Sequence, residues 1–239
     1  MQKHQGGKKG STTWLDSVSN QKALKEIAMN YEGNDLIRIR TAALRKLDQD
    51  TLSQVAIECD PTPDSYIHFK RSLKEIRQTE SWHFGLETIA LIQNQGYLAA
   101  VAQKSRSALV QEAAIDKLED QPTLAAISRN GTAYITRVRI AAVEKLNNQE
   151  LLEVIALSKT EDFRVRCAAM PHLQNQEIRN QIASDSTERN DVRGAALEGV
   201  SDIKILEDAG LYSFDGNTPL QPIVIKRMAK LLRTRDTQE

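Results

Sequence analysis

The feature of this sequence that most restricts its fold is an internal repeat. The segments VQEAAIDKLEDQPTLAAIS, VRIAAVEKLNNQELLEVIA and VRCAAMPHLQNQEIRNQIA, which begin at residues 110, 138 and 165, are copies of one unit. Two more copies occupy residues 39–56 and 192–206. The last apolar residue before the central turn recurs at intervals of 26, 28, 27 and 27 positions, at Ile92, Leu118, Leu146, Leu173 and Val200. Self-similarity at such a period indicates an array of stacked supersecondary units.

Both halves of a unit have apolar residues at helical spacing. In the first half they lie at i, i+3, i+4 and i+8, as in Val165, Ala168, Ala169 and Leu173. In the second half they lie at i, i+3 and i+4, as in Leu152, Ile155 and Ala156. Each half is therefore predicted to be an amphipathic helix, and the chain to be all-α. The alanines paired at 42–43, 113–114, 141–142, 168–169 and 195–196 are small enough to allow close contact with a neighbouring repeat.

The turn between the two helices carries an Asn or Asp followed by Gln in six copies. These pairs are Asn20-Gln21, Asp48-Gln49, Asn94-Gln95, Asp120-Gln121, Asn148-Gln149 and Asn175-Gln176. Because Asn and Asp side chains accept hydrogen bonds from the first free N–H groups of a helix, we predict that they cap the second helix. For the glutamines two interpretations stay open, an amide ladder along one edge of the array or residues that the turn merely tolerates.

These units resemble HEAT repeats. Val-Arg followed by paired alanines and a closing aliphatic residue, at 138–146, 165–173 and 192–200, is similar to the helix pattern of that family. Asp162 and Asp191 lie near the acidic position that such repeats often carry. The period is shorter than the 40–47 residues usual for HEAT and armadillo repeats, so each helix should have only about ten residues. The resemblance implies a right-handed α-solenoid of short two-helix HEAT-like repeats with a C-terminal capping helix.

The repeat pattern also predicts how the chain is divided. The expected segments are a disordered basic tail at 1–13, the array at 14–208 with an irregular repeat at 60–84, a linker at 209–218, and a C-terminal capping helix and tail at 219–239. The last helix has an apolar face formed by Leu220, Val224, Met228 and Leu231, which would cover the final repeat.

Composition and charge limit the cell compartments in which the chain is expected and the kinds of partner that it is expected to bind. The N-terminal residues contain no apolar stretch that would serve as a secretory signal or membrane anchor, and no window approaches the roughly 18 apolar residues of a membrane-spanning helix. Cys59 and Cys167 are too far apart in sequence for a metal or redox motif, which suits the cytoplasm. Residues 1–13 and 219–239 each carry a net charge of +3, which leaves −6 on the part between them.

Sequence signals of catalysis are missing. The chain has no GxGxxG, GxxxxGK[ST] or GxSxG motif, which are the usual signs of nucleotide and serine-hydrolase chemistry. None of the four histidines is followed by Glu, so the His-Glu metal sites of the HEAT-repeat hydroxylases have no counterpart. We therefore expect no enzyme activity, no cofactor, no metal and no small-molecule substrate.

Arginines recur at one position of the repeat. They occur as Arg38-Ile39-Arg40, Arg137-Val138-Arg139 and Arg164-Val165-Arg166, and Arg193 follows Val192 in the next copy. The second arginine resembles the HEAT-family arginine, which implies a structural role in binding carbonyls or an acidic residue of the next repeat. The first arginines, Arg38, Arg137 and Arg164, would be exposed, one on each of three repeats. They are therefore candidates for binding phosphates or an acidic peptide.

The irregular segment 60–84 is the second candidate site. It contains several of the chain's few aromatic residues, and Tyr66, Arg71 and Trp82 are residue types that commonly anchor interfaces. The alternative is that Trp82 and Phe69 fill the core of a degenerate repeat.

Two functions follow from these observations. The first is a non-enzymatic interaction scaffold that binds a protein or peptide partner on the solenoid surface, with no role at a membrane. The alternative is a nucleic-acid-binding HEAT-like module that uses the row of arginines and the basic termini. The acidic charge of the region between the termini argues against this alternative.

Overall fold

A computed structural model describes residues 12–30, 36–58, 83–129, 136–211 and 220–236. These residues form fourteen α-helices and two short 3-10 helices, and no strand occurs among them. The all-α prediction is therefore confirmed for the described part of the chain.

The chain forms two compact units, Met1–Asp120 and Gln121–Glu239. The first contains a 3-10 turn at Thr13–Ser17 and helices α1 (Gln21–Asn30), α2 (Leu36–Leu44), α3 (Gln49–Glu58), α4 (His83–Leu91), α5 (Gln95–Lys104) and α6 (Ala108–Lys117). The second contains α7 (Gln121–Arg129), α8 (Thr136–Glu144), α9 (Gln149–Leu157), α10 (Phe163–Ala169) with a 3-10 turn at Met170–His172, α11 (Gln176–Ser184), α12 (Asn190–Leu197), α13 (Ile203–Leu211) and α14 (Gln221–Asp236).

Alternate helices pack against each other within each unit. The even-numbered helices form the contacts α2 with α4, α4 with α6, α8 with α10, α10 with α12 and α12 with α14. Among the odd-numbered helices, α1, α3 and α5 pack in succession, as do α9, α11 and α13. Each odd-numbered helix also packs closely against the even-numbered helix that follows it. The core of each unit lies between these two sets of helices.

The paired alanines divide into one buried and one half-buried residue. The second alanine of each pair has an exposed fraction of 0%, at Ala43, Ala114, Ala142, Ala169 and Ala196. The first alanine of each pair is only half-buried. Complete burial of the second alanine agrees with the predicted close contact with a neighbouring repeat, because a fully buried position has no space for a larger side chain. The first alanine lies at the margin of that contact.

Five of the six predicted Asx residues cap the helix that follows them, at α1, α3, α5, α9 and α11. The helices α1, α3, α5, α7, α9 and α11 all begin at the glutamine of an Asx-Gln pair. The side chain of Asn148 accepts from Leu151 N at 2.9 Å, and that of Asp48 accepts from Thr51 N at 2.8 Å. Asn20, Asn94 and Asn175 make equivalent bonds. Local sequence chemistry therefore sets where these helices start.

Five of the six turn glutamines connect their own turn to the next one. We call this contact a glutamine clamp: the side-chain nitrogen donates to a backbone carbonyl of the next turn, and the side-chain oxygen accepts from the N–H two residues further on. The clamps join Gln21 to Lys46 and Asp48, Gln49 to Leu91 and Gln93, Gln95 to Lys117 and Glu119, Gln121 to Lys145 and Asn147, and Gln149 to His172 and Gln174, with donor–acceptor distances of 2.7–3.3 Å. The glutamines thus bind the backbone and do not stack as an amide ladder.

The clamp of Gln49 spans residues 59–82, which lie outside the described part of the chain. Gln49 Nε2 donates to Leu91 O at 3.0 Å, and its Oε1 accepts from Gln93 N at 2.7 Å. In addition, α3 packs directly against both α4 and α5. The helices on the two sides of this segment therefore contact each other as consecutive pairs do elsewhere.

The clamps predict a measurable stabilisation. Replacing Gln149 by alanine removes both clamp bonds, and we expect a loss of about 1–2 kcal/mol in the free energy of unfolding. Urea denaturation followed by circular dichroism measures it. Gln176→Ala is the matched control, because the exposed Gln176 only accepts a 3.4 Å bond from Ser201 Oγ. Equal losses in the two variants would show that the clamp adds nothing.

Candidate functional site

Three of the predicted partner-binding residues cannot be placed. Tyr66, Arg71 and Trp82 lie outside the described residues. Their proposed role in binding stays a prediction from the sequence.

The three first arginines occupy one position of the repeat but differ in their surroundings. Arg38, Arg137 and Arg164 each precede a buried aliphatic residue, and Arg38 and Arg164 are exposed whereas Arg137 is half-buried. Arg164 Nη2 lies 2.9 Å from Asp162 Oδ2. Hydrogen bonds from the Arg164 side chain lower the pKa of Asp162 to about 2. The charge of Arg164 is therefore balanced locally, and the three side chains are not equivalent cations.

The second arginines have the structural role that the HEAT resemblance implied. Each donates to the carbonyl oxygen that lies seven residues after the start of the preceding odd-numbered helix: Arg40 to Ala28, Arg139 to Ser128, Arg166 to Ala156 and Arg193 to Ala183. Gln111 occupies the same position in α6 and donates to Ala102 O at 3.1 Å. These bonds hold each even-numbered helix against the one before it.

Two glutamates that the sequence reasoning missed complete this arrangement. Arg166 Nη1 and Nη2 lie 3.0 and 2.6 Å from the two carboxylate oxygens of Glu188. Arg139 makes the same bidentate ion pair with Glu161. The sequence had pointed to Asp162 and Asp191, but Asp162 caps α10 and pairs with Arg164, while Asp191 pairs with Arg189. Both glutamates stand four residues before a buried valine, and this shared position was the available signal.

A shallow groove of about 440 Å³ adjoins these ion pairs. It is lined by Lys159, Glu161, Asp162, Phe163, Arg166, Thr187, Glu188 and Arg189. Its charges are engaged within the protein: Lys159 pairs with Asp185 at 2.8 Å, and the Arg189 guanidinium lies 4.2 Å from the centre of the Phe163 ring. The positive and negative side chains of the lining are equal in number. The groove therefore presents no surplus charge to a ligand.

Helix α9 exposes two aliphatic residues. Val154 has an exposed fraction of 64% and Leu157 of 40%, and their spacing of three places them on the same face of the helix. Glu150 lies on that face one turn earlier, and Glu153 is half-buried beside it. Glu177 is exposed on α11, which packs against α9. We call these five residues the α9 patch.

Within the α9 patch, Val154 is a local departure from the repeat, because no other helix that begins at a turn glutamine has a large aliphatic residue at that position. The Leu157 position is less distinctive, since Met29 and Ile57 occupy it in α1 and α3. At the equivalent positions of α11, Val154 and Leu157 are replaced by the exposed polar residues Gln181 and Ser184. An aliphatic residue in a position that is polar in the next copy was a signal in the sequence.

Comparison of the chain with protein-family models, curated proteins and solved structures gives no match. None of the helices described above combines the length and the apolar character needed to cross a membrane. Among the same residues, no group of three or more His, Cys, Asp or Glu side chains is arranged to hold a metal ion.

Proposed function

We propose that this chain is a non-enzymatic HEAT-like repeat scaffold of the cytoplasm that binds a peptide segment of a protein partner. The alternating helix contacts, the glutamine clamps and the arginine-to-carbonyl bonds support HEAT-like stacking within each unit. A right-handed sense of that stacking is part of the proposal. Repeat arrays of this kind commonly present a fixed surface to a partner.

The α9 patch is the observation that carries this proposal. Val154 is an aliphatic side chain that is 64% exposed, and contact between its apolar surface and water is unfavourable. A partner that covers this side chain therefore gains binding free energy. The glutamates around Val154 and Leu157 add negative charge, and neither α9 nor α11 has an exposed Lys or Arg to balance it. The complementary partner is a segment with an apolar anchor flanked by Lys or Arg, because opposite charges speed association and exclude wrong partners.

Selection from a random peptide library tests this function. We expect the full chain to enrich peptides with one or two large apolar residues among basic ones. In the double variant Val154→Asp, Leu157→Asp, the affinity for an enriched peptide should fall by about 30-fold or more, which corresponds to about 2 kcal/mol. The melting temperature should change little, because both side chains are exposed.

A matched control uses the exposed aliphatic residues of α14. Ile225 and Leu232 are 65% and 53% exposed, so Ile225→Asp, Leu232→Asp makes a comparable change elsewhere. This variant should keep full peptide affinity. The proposal fails if both double variants bind equally well, or if the enriched peptides show no basic or apolar preference.

The nucleic-acid alternative has less support. Arg164 is bound to Asp162, and the α9 patch is acidic, whereas phosphate backbones require a surplus of positive charge. Fluorescence anisotropy with labelled DNA and RNA at low salt decides between the two. Binding that weakens steeply with salt and needs Arg38 would favour the alternative.

A further inference from the structure

One odd-numbered helix has a charged residue where the others have a core leucine. The fourth residue after the Asx cap is a leucine with at most 2% of its surface exposed in six helices: Leu24, Leu52, Leu98, Leu124, Leu152 and Leu206. In α11 the residue at this position is Arg179, which is only 6% exposed. Arg179 therefore places a guanidinium in a position that the repeat otherwise reserves for the core.

The Arg179 guanidinium is poorly satisfied. Its Nη2 donates to Leu173 O, but its Nε is buried and has no hydrogen-bond acceptor. None of the ion pairs among the described residues includes Arg179. A buried charge without a counter-charge is costly, since the attraction of a partner normally offsets part of the lost hydration. Burial, and then the nearby charge of Arg227, lower the pKa of Arg179.

A second arginine reaches the same place from α14. Arg227 Nε donates to Val200 O at 2.7 Å, and its Nη2 to Gly199 O at 3.3 Å. Arg227 likewise belongs to none of the ion pairs among the described residues. The buried guanidinium of Arg179 and the half-buried guanidinium of Arg227 therefore both lie next to Gly199. Their only hydrogen-bond acceptors in the described part of the chain are backbone carbonyl oxygens.

The absence of a side chain at Gly199 makes room for the guanidinium of Arg179. The equivalent turn position in other units carries a long side chain, at Lys46, Leu91, Lys117, Lys145 and His172. A Cβ on Gly199 would overlap the Arg179 guanidinium, whose Nε would lie only 2.7 Å away. The arginine and the glycine are two departures from the repeat that fit each other in space. This agreement indicates that the buried charge is a specific feature of this turn.

We propose that Arg179 and Arg227 form a binding site for a phosphate-type dianion, either inorganic phosphate or a phosphate monoester. Two guanidinium charges are neutralised by a dianion, whereas a carboxylate would leave one uncompensated. Arginine N–H groups bind phosphate oxygens through charge-assisted hydrogen bonds. The protein bonds of the two arginines use Nη2 of Arg179 and Nε and Nη2 of Arg227, which leaves Nη1 of each guanidinium as the donor for an anion. The bound anion would also hold α14 to the turn between α12 and α13, because Arg227 belongs to α14.

The test measures the full chain in phosphate, in phenyl phosphate and in chloride at equal ionic strength and pH. We expect phosphate to raise the melting temperature in a saturable way, because a ligand that binds only the folded state stabilises it. In ¹H–¹⁵N spectra, one arginine Nε–H resonance should shift over the same phosphate range. Tighter binding of phenyl phosphate than of phosphate would identify the ligand as a phosphate monoester, and the reverse order would identify the free anion.

Arg179→Leu restores the residue found at the six equivalent positions, so the variant is expected to fold. Its apparent affinity for phosphate should fall at least tenfold, and the shifting Nε–H resonance should disappear. Arg233→Leu, which removes an exposed charge from α14, should leave the phosphate response intact. A phosphate effect that does not saturate, or that is the same in wild type and Arg179→Leu, would overturn the proposal. If Arg179→Leu does not fold, the absence of any Nε–H shift in the wild-type titration would overturn it equally.

Discussion

Replacing Glu188 by alanine is expected to lower the free energy of unfolding of the second unit by about 3–5 kcal/mol. The side chains of Arg166 and Glu188 are only 4% and 6% exposed, so the change leaves a buried guanidinium without its counter-charge. The bond to Ala156 O at 3.0 Å does not replace that charge. Urea denaturation of the full chain, followed by circular dichroism, measures the loss.

Two variants control for other causes of this loss. Lys159→Ala breaks an ion pair in which the lysine side chain is 62% exposed, and it should lower the free energy of unfolding far less than Glu188→Ala does. The double variant Arg166→Met, Glu188→Leu removes both charges and should recover part of the stability lost in Glu188→Ala. If the double variant is as unstable as the single one, the cost comes from packing and not from the unpaired charge.

The same ion pair gives the second unit a dependence on pH. Burial of Glu188 acts to raise its pKa, but hydrogen bonds from Arg166 and from Arg189 N outweigh it, so the pKa lies below its ordinary value. A lowered carboxylate pKa contributes stability above the unfolded pKa, and this stability is lost as the pH falls through the folded pKa. Acid should therefore destabilise the wild type more than Glu188→Ala.

The second large effect concerns α14. Leu220 and Val224 are 0% and 4% exposed, and Ile223 approaches Gly194 so closely that a Cβ there would lie 2.8 Å from Ile223 Cδ1. We propose that this helix closes the end of the second unit, as the last helix of a repeat array must. Leu220→Ala should then cost about 2–5 kcal/mol, and deletion of residues 219–239 should lower both the melting temperature and the solubility.

Ile225→Ala is the matched control for Leu220→Ala, because Ile225 lies in the first turns of α14, just after Leu220, and is 65% exposed. It should change the free energy of unfolding by no more than about 0.5 kcal/mol. A truncated chain as soluble and heat-stable as the full one would rule out the closing role of α14.

The helices were predictable because local chemistry sets them. Asx capping fixes where α9 and α11 begin, and the spacing of apolar residues gives the buried face of each helix. The glutamine clamp was not predicted: the recurrence of glutamine left an amide ladder or mere tolerance by the turn open, and the backbone atoms that the clamp binds carry no sequence signature. The clamp could be seen only with the next turn in place.

The candidate sites were less predictable, because they depend on which residues differ between units. Arg179 in a leucine position, and Val154 in a position that has no large aliphatic residue in the other copies, are visible in the aligned sequences. The sequence does not show what these two residues do. The role of Arg179 depends on its contact with Gly199 and Arg227, and the role of Val154 depends on its acidic neighbours. Averaging over copies reveals the fold but hides such departures.

The glutamine clamp has a consequence for how such a chain changes over generations. Each clamp needs a specific side chain on one turn only, while the other turn contributes a carbonyl oxygen and an N–H group that every residue except proline can supply. A duplicated or deleted gene segment of one period therefore keeps a working junction at both ends without compensating mutations. The Gln49 junction, which joins turns separated by a long stretch of chain, shows that extra residues can enter between two helix pairs while this edge stays connected. The addition of whole periods and the insertion of residues between two helix pairs are thus separable events in this architecture.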